Sequence, residues 1–326
     1  MPPTPDAARR PWTRLLLASV LGVGLLAWLL RQVDLGPLRA AFAATPIWLW
    51  VVALAGLCLS YALRAERLRR EWGSWFAAQD AQGLARGRAP GFVDCLALFL
   101  THNAAIVVLP LRAGEAGYPF LMQRRFGVPL SDSLRSLLWL RLQDAAVLAT
   151  LAALWLPPLA PAVRAGWAAL LALAWGLVLL FGARALAALA GRVPAVQRFQ
   201  AAWLTHRNDR AGWALCAANW LVKLAVLALL LQALAPLDVM AALRGALGGE
   251  LASVLPLQGP AGLGTYEAGV WAAALMGEAS VIGAGAQVAA GALALHAFSL
   301  AVALAAAAMI MPWAREPRPA LENTTR

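Results

Sequence analysis

The chain has 326 residues, 62% of them hydrophobic, a mean hydropathy of +0.69 and only 13% charged residues. That charged share is about half of the roughly 25% usual for soluble domains, which excludes an ordinary soluble core, and three cysteines exclude a disulfide scaffold. The net charge of +11 is nearly all arginine, because Lys223 is the one lysine, and the arginines fall in short blocks between apolar runs. Basic blocks so placed are those of cytoplasmic loops obeying the positive-inside rule, and no polar segment is long enough for a nucleic-acid module.

In chain order, the first apolar run is Leu15 to Leu30, preceded by Arg9, Arg10 and Arg14. A signal peptide would need its small-residue site closer than Ala41-Phe42-Ala43, so an uncleaved first helix is expected, with a cytoplasmic N-terminus. Further apolar runs lie at 47–63, 92–109, 133–156, 166–181, 212–235, 240–255, 265–276 and 283–311. A full crossing takes about 17–25 residues, so 265–276 is too short, as is the run from Gly117 to Arg124-Arg125. Each short run follows an apolar arm and a Pro/Gly-rich break, the pattern of a re-entrant hairpin.

If 92–125 enters and leaves on the cytoplasmic side and 240–277 on the outer side, the arginines sort cleanly. The cytoplasmic segments take three in the N-tail, six between 64 and 88, Arg124 and Arg125, five between 184 and 210, and three in the C-tail. Only Arg31, Arg39, Arg164 and Arg244 fall outside, with Arg112, Arg135 and Arg141 in or near the membrane. A tail over 313–326 is then cytoplasmic, like the N-terminus.

The two breaks resemble each other. The first contains Val108-Leu109-Pro110-Leu111, then Gly114 and Glu115-Ala116-Gly117; the second contains Val254-Leu255-Pro256-Leu257, then Pro260, Gly262, Gly264 and Glu267-Ala268-Gly269. Their offset of 146 residues (254 minus 108) also relates the helix at 133 to the last helix, and residue 15 to the fifth run. The expected fold is therefore an all-α membrane protein of one domain over 1–326, with about six full crossings and two opposed re-entrant hairpins. Residues 12–157 form one repeat and 162–312 a second. Three crossings separate the hairpins, so the second repeat is inverted, an architecture used by transporters.

Ionisable groups at membrane depth cost at least about 2.5–3.5 kcal/mol each on insertion scales, which makes them functional candidates. Arg112 and Glu115 lie on the first break, Glu267 on the second, Arg141 and Asp144 on one face of the 133–156 helix, and Lys223 in the middle of 212–235. They balance as three positives and three negatives, in a substrate-binding network or in structural pairs. Glu250, in the arm before the second break, is a lesser candidate. Pro110, Gly114, Pro256, Pro260, Gly262 and Gly264 would break the helices and free backbone groups for a ligand. His102, Asn103 and His296 have no metal-like spacing and read as helix-packing groups, and the cysteines as buried apolar residues. Trp48, Trp50, Trp72, Trp75, Trp155, Trp167 and Trp313 read as an interfacial belt. Without a Walker loop, H-E-x-x-H or G-x-S-x-G, no enzyme activity, metal or cofactor is expected.

The sequence L-P-x-R-x-G-E (Leu109, Pro110, Arg112, Gly114, Glu115), then R-x-x-D (Arg141, Asp144), then P-x-G-x-G-x-x-E (Pro260, Gly262, Gly264, Glu267) resembles the lysylphosphatidylglycerol synthase/flippase transmembrane-region family. The resemblance covers residues 12 to 312 and implies lipid translocation between leaflets through two opposed hairpins. Bifunctional members carry a soluble synthase part after the membrane region; this sequence ends at Arg326, so lipid aminoacylation is not expected. The reading is a flippase-like translocator of a phospho- or glycolipid headgroup in a bacterial-type inner membrane, with membrane lipids and a lipid-modifying enzyme as partners. Its rivals are a proton- or ion-coupled solute transporter, a non-transporting partner of such an enzyme and, last, a membrane-embedded transferase.

Overall fold

A computed structural model describes residues 35–83, 88–108, 114–115, 117–156, 159–190, 209–254, 260–276 and 285–311. Among these the chain is helical, with no strand: α1 Leu35–Ala44, α2 Ile47–Ala81, α3 Phe92–Val108, α4 Gly117–Phe126, α5 Leu130–Trp155, α6 Pro161–Ala190, α7 Arg210–Leu234, α8 Val239–Val254, α9 Thr265–Ala274 and α10 Gly285–Ile310. A helix bonds all its interior N–H and C=O groups within one segment, the requirement that hydrocarbon imposes on a spanning backbone. Five of these helices (α2, α5, α6, α7 and α10) are long and apolar enough to cross a membrane. The expected first crossing at 15–30, Trp313 and the tail at 313–326 lie outside the described residues.

Local signals mark the ends. Pro46 and Pro129 precede α2 and α5, and Pro161 opens α6. Proline lacks only an N–H that a first turn leaves unpaired anyway, and its ring presets a helical φ. Asp209 caps α7 by accepting from the Gly212 N–H at 3.1 Å. The short helix α1 has no counterpart among the expected apolar runs. It joins the bundle through Phe42, stacked on Trp50 at 4.8 Å, while Trp50 meets Phe298 of α10 edge-on at 5.0 Å.

The apolar core has two parts. The larger joins α2, α5, α7, α8 and α10 through residues such as Leu57, Leu148, Leu224, Leu231, Leu247 and Leu295. The smaller gathers Leu68, Trp72 and Phe76 of α2, Leu98 of α3, and Tyr118, Met122 and Phe126 of α4. Trp72 is therefore core rather than belt: it is 1% exposed and donates from Nε1 to Tyr118 Oη at 2.9 Å. Trp48 and Trp167, by contrast, stay exposed. Cys58 departs from the expected burial, facing outward on α2, while Cys95 and Cys216 are buried; all three thiols are free.

Both expected arm–break–short-arm units are present as helix pairs, α3/α4 and α8/α9. The second pair packs at backbone contact. A Cβ on Gly248 would lie 2.3 Å from the Gly269 carbonyl oxygen, and one on Gly269 would lie 2.5 Å from that of Gly248. Lipid offers little hydrophobic drive for joining helices, so small residues that admit close approach hold such crossings together. Helix α6 is the opposite case, with α5 as its main neighbour and Leu170, Leu173, Leu177, Leu180 and Phe181 exposed.

Candidate functional site

The charged residues lie at the midpoints of the long helices. Arg64 is the central residue of α2, and Lys223 is within one residue of the centre of α7. Arg141 and Asp144 flank the centre of α5, and His296 is within two residues of that of α10. For a 25-residue helix that puts the group about 18 Å from either end. Packing these helices side by side therefore brings the charges to one level, where they line a cavity of about 450 Å³.

Three ion pairs cross between helices here. Arg67 of α2 reaches Asp144 of α5 at 2.8 Å, with both residues under 10% exposed. Asp144 also accepts from Trp220 Nε1 at 3.1 Å and from the Cys216 thiol at 3.4 Å, so α7 completes its shell. Lys223 of α7 meets Glu250 of α8 at 2.6 Å. Arg141 meets Glu115 of the first break at 3.1 Å, each side chain about one-third exposed. Arg141 and Asp144 share a face of α5, as expected, and pair with different elements, Glu115 of the first break and Arg67 of α2. A residue three positions along offers a short local reach, whereas facing helices present full-length side chains across the gap.

Glu267 is held from two sides. The Gly264 N–H donates to its Oε2 at 2.7 Å, and His296 Nδ1 lies 2.7 Å from its Oε1. Before it, Pro260–Gly262 forms a single tight turn, with left-handed φ at Ala261 (56°), Gly262 (79°) and Gly264 (83°). Glycine reaches that region without the clash a Cβ brings, which is why the break is glycine-rich. The imidazole of His296 stacks on the Tyr266 ring at 4.3 Å. Ala261, Gly262, Tyr266 and His296 all line the cavity.

At the first break, Gly114 presses onto α3: a Cβ there would lie 2.3 Å from the backbone carbon of Ala105. Arg112, Pro110 and Pro256 lie outside the described residues, and no structural statement attaches to them. Of the remaining predicted residues, Arg141, Asp144 and Lys223 line the cavity, while Glu115 and Glu267 join it through Arg141 and His296.

Several members were not recognised in the sequence. Arg64 and Arg67 stand in the expected cytoplasmic block after residue 63, but α2 runs on to Ala81 and both arginines line the cavity. The hydropathy run ends there because charge enters on both faces, Arg64 and Arg67 toward the cavity and Arg69 and Arg70 outward, not because the helix ends. The spacing Leu57, Ser60, Tyr61, Arg64, Arg67, Leu68 and Glu71 is the available signal, since these positions share one helical face. Glu250 proves to be the partner of Lys223 rather than a minor candidate. His102, Asn103 and His296 line the cavity as well as packing helices. Among the described residues no group of three His, Cys, Asp or Glu could hold a metal ion.

Long apolar helices gathered around an internal charged cavity define a multi-pass α-helical membrane protein. The family model described as lysylphosphatidylglycerol synthase TM region matches residues 15–308, and the chain belongs to that family. Membership places it among membrane proteins that handle lipid. No curated protein and no solved structure matches the chain.

Proposed function

We propose that the protein moves a polar lipid between the leaflets of a bacterial-type inner membrane, its headgroup passing through the central cavity while the acyl chains stay in the bilayer. The observation that carries this reading is the charged cavity at the midpoints of spanning helices, where an exposed charge would be most costly in lipid. Its volume of about 450 Å³ falls in the range of small-molecule sites, roughly 300–1,000 Å³. The second break contributes to its wall through Ala261 and Gly262, and the first reaches it through the bond of Glu115 to Arg141 of α5. With the arginine distribution, this favours two re-entrant hairpins entering from opposite sides, in an inverted repeat with both termini cytoplasmic. Rocking one repeat against the other would then alternate access. The reading involves no covalent chemistry, and a lipid-modifying enzyme is the partner it suggests.

The test is reconstitution into vesicles carrying a headgroup-labelled phospholipid, with the outer label quenched chemically. The protein is expected to speed leaflet exchange, and Glu267→Gln and Lys223→Met to slow it. Exchange equal to that of empty vesicles overturns the proposal. Ion-coupled transport of a small solute is the competing reading, favoured by the His296–Glu267 pair in the wall. Solute uptake driven by a pH gradient, with no lipid movement, would establish it instead.

A further inference from the structure

We infer that Arg64 anchors an anionic phosphate group, so that the cavity takes a headgroup with a phosphodiester. The inference rests on the translocation reading only for the source of that phosphate, a lipid.

Ion-pair partners and donor balance around Arg64 carry the inference. Arg67, Lys223 and Arg141 each have a carboxylate within 3.1 Å, in Asp144, Glu250 and Glu115. Arg64 has none within ion-pair distance among the described residues. Its Nε donates to Asn219 Oδ1 at 3.1 Å, and that neutral oxygen already accepts from Ser60 Oγ at 2.6 Å. Its Nη2 is buried with no acceptor at all. A buried charge without a counter-charge is costly, and a bound anion supplies what the chain leaves out.

The guanidinium is held in place beforehand. Its carbon sits 4.8 Å from the Trp220 ring centroid and 5.6 Å from that of Phe99. Ring faces attract the cation but accept no conventional hydrogen bond, so they leave Nη2 of the planar fork without an acceptor. A second group points to the same ligand chemistry. Tyr266 lines this cavity, is only 4% exposed, and its hydroxyl is buried without a partner. Unsatisfied guanidinium and hydroxyl donors in one cavity call for a ligand rich in acceptors. A phosphodiester offers acceptor oxygens, no donors of its own, and the one negative charge that Arg64 lacks.

The test measures binding apart from transport. The purified full chain in detergent is titrated with phosphatidylglycerol, diacylglycerol of the same chains and inorganic phosphate, read by native mass spectrometry and by the shift in Tm. Phosphatidylglycerol is expected to bind and diacylglycerol not to. Arg64→Gln should weaken phosphatidylglycerol by about tenfold or more, the worth of a charge-assisted hydrogen bond. Asn219→Asp should do the same while keeping or raising the lipid-free Tm, because its carboxylate neutralises Arg64 from within. Smaller losses in both variants overturn the anchor, and do so even if leaflet exchange by the parent protein is fast. Arg64-dependent binding without leaflet exchange keeps the anchor and removes the translocation reading. Inorganic phosphate that competes with the lipid and matches its Tm shift overturns the lipid source in favour of a soluble anion.

Discussion

At the second break α8 and α9 touch backbone to backbone, Gly248 against Gly269, whereas at the first break α3 and α4 meet at far fewer points. Helix α4 leans instead on α5 and on α2, through the Trp72–Tyr118 hydrogen bond and the aromatic cluster beneath it. The charges follow the same division. The second unit contributes Glu250, 5% exposed and locked to Lys223, while the first contributes Glu115, in a pair one-third open. Two stretches with a shared motif are thus held in different ways: each has one close backbone contact, Gly114 on α3 and Gly248 on Gly269, but the short arm of the first rests mainly on side chains of other helices. The comparison teaches that a shared motif does not fix how firmly a unit is held: the second is packed as a fixed wall and the first more loosely.

The largest effect should come from breaking the close crossing. Gly248→Leu has no room beside the Gly269 carbonyl, so the helices must separate. Overpacking at such a contact costs about 3 kcal/mol or more, expected as loss of a monodisperse peak in detergent. If Gly248→Leu matches the parent in yield and Tm, the fixed-wall picture fails.

Next in size is the buried pair of that unit. Lys223→Met leaves Glu250 as an unpaired buried carboxylate, a loss of about 3–5 kcal/mol, whereas Lys223→Met with Glu250→Leu should recover most of the Tm. A double variant no more stable than the single one would mean that Glu250 finds another partner. The corresponding cut in the first unit, Glu115→Gln, should cost under about 1 kcal/mol, because that pair is partly open and solvent-screened. Equal costs for the two pairs would erase the contrast between the units. Trp72→Phe falls between these two, since it removes one donor to Tyr118 at a cost of about 1 kcal/mol and should mainly loosen α4, read as faster hydrogen exchange there.

The legible part of the architecture came from signals with a direct physical meaning. Apolar run length located α5, α7 and α10 to within a few residues, because a bilayer sets how much uninterrupted hydrocarbon a helix needs. Proline and glycine clusters located both breaks. The same reasoning failed at α2, where hydropathy stops at residue 63 and the helix does not. Averaging over a window marks where charge enters, on whichever face, and not where the helix itself ends. It also treated His296 as packing, since a lone histidine carries no sign of the carboxylate that α9 brings to it.

By itself, then, the sequence determined a helical membrane protein of this family with two broken-helix units, and it singled out Glu115, Arg141, Asp144, Lys223 and Glu267, because charge is expensive in hydrocarbon wherever it occurs. The tertiary structure alone decided the partners: Arg67 for Asp144, Glu250 for Lys223, Glu115 for Arg141, His296 for Glu267, and no carboxylate within ion-pair distance of Arg64 among the described residues. Pairing across helices depends on which faces meet and at what height, and that is set by small-residue crossings such as Gly248 with Gly269 rather than by the charged residues themselves.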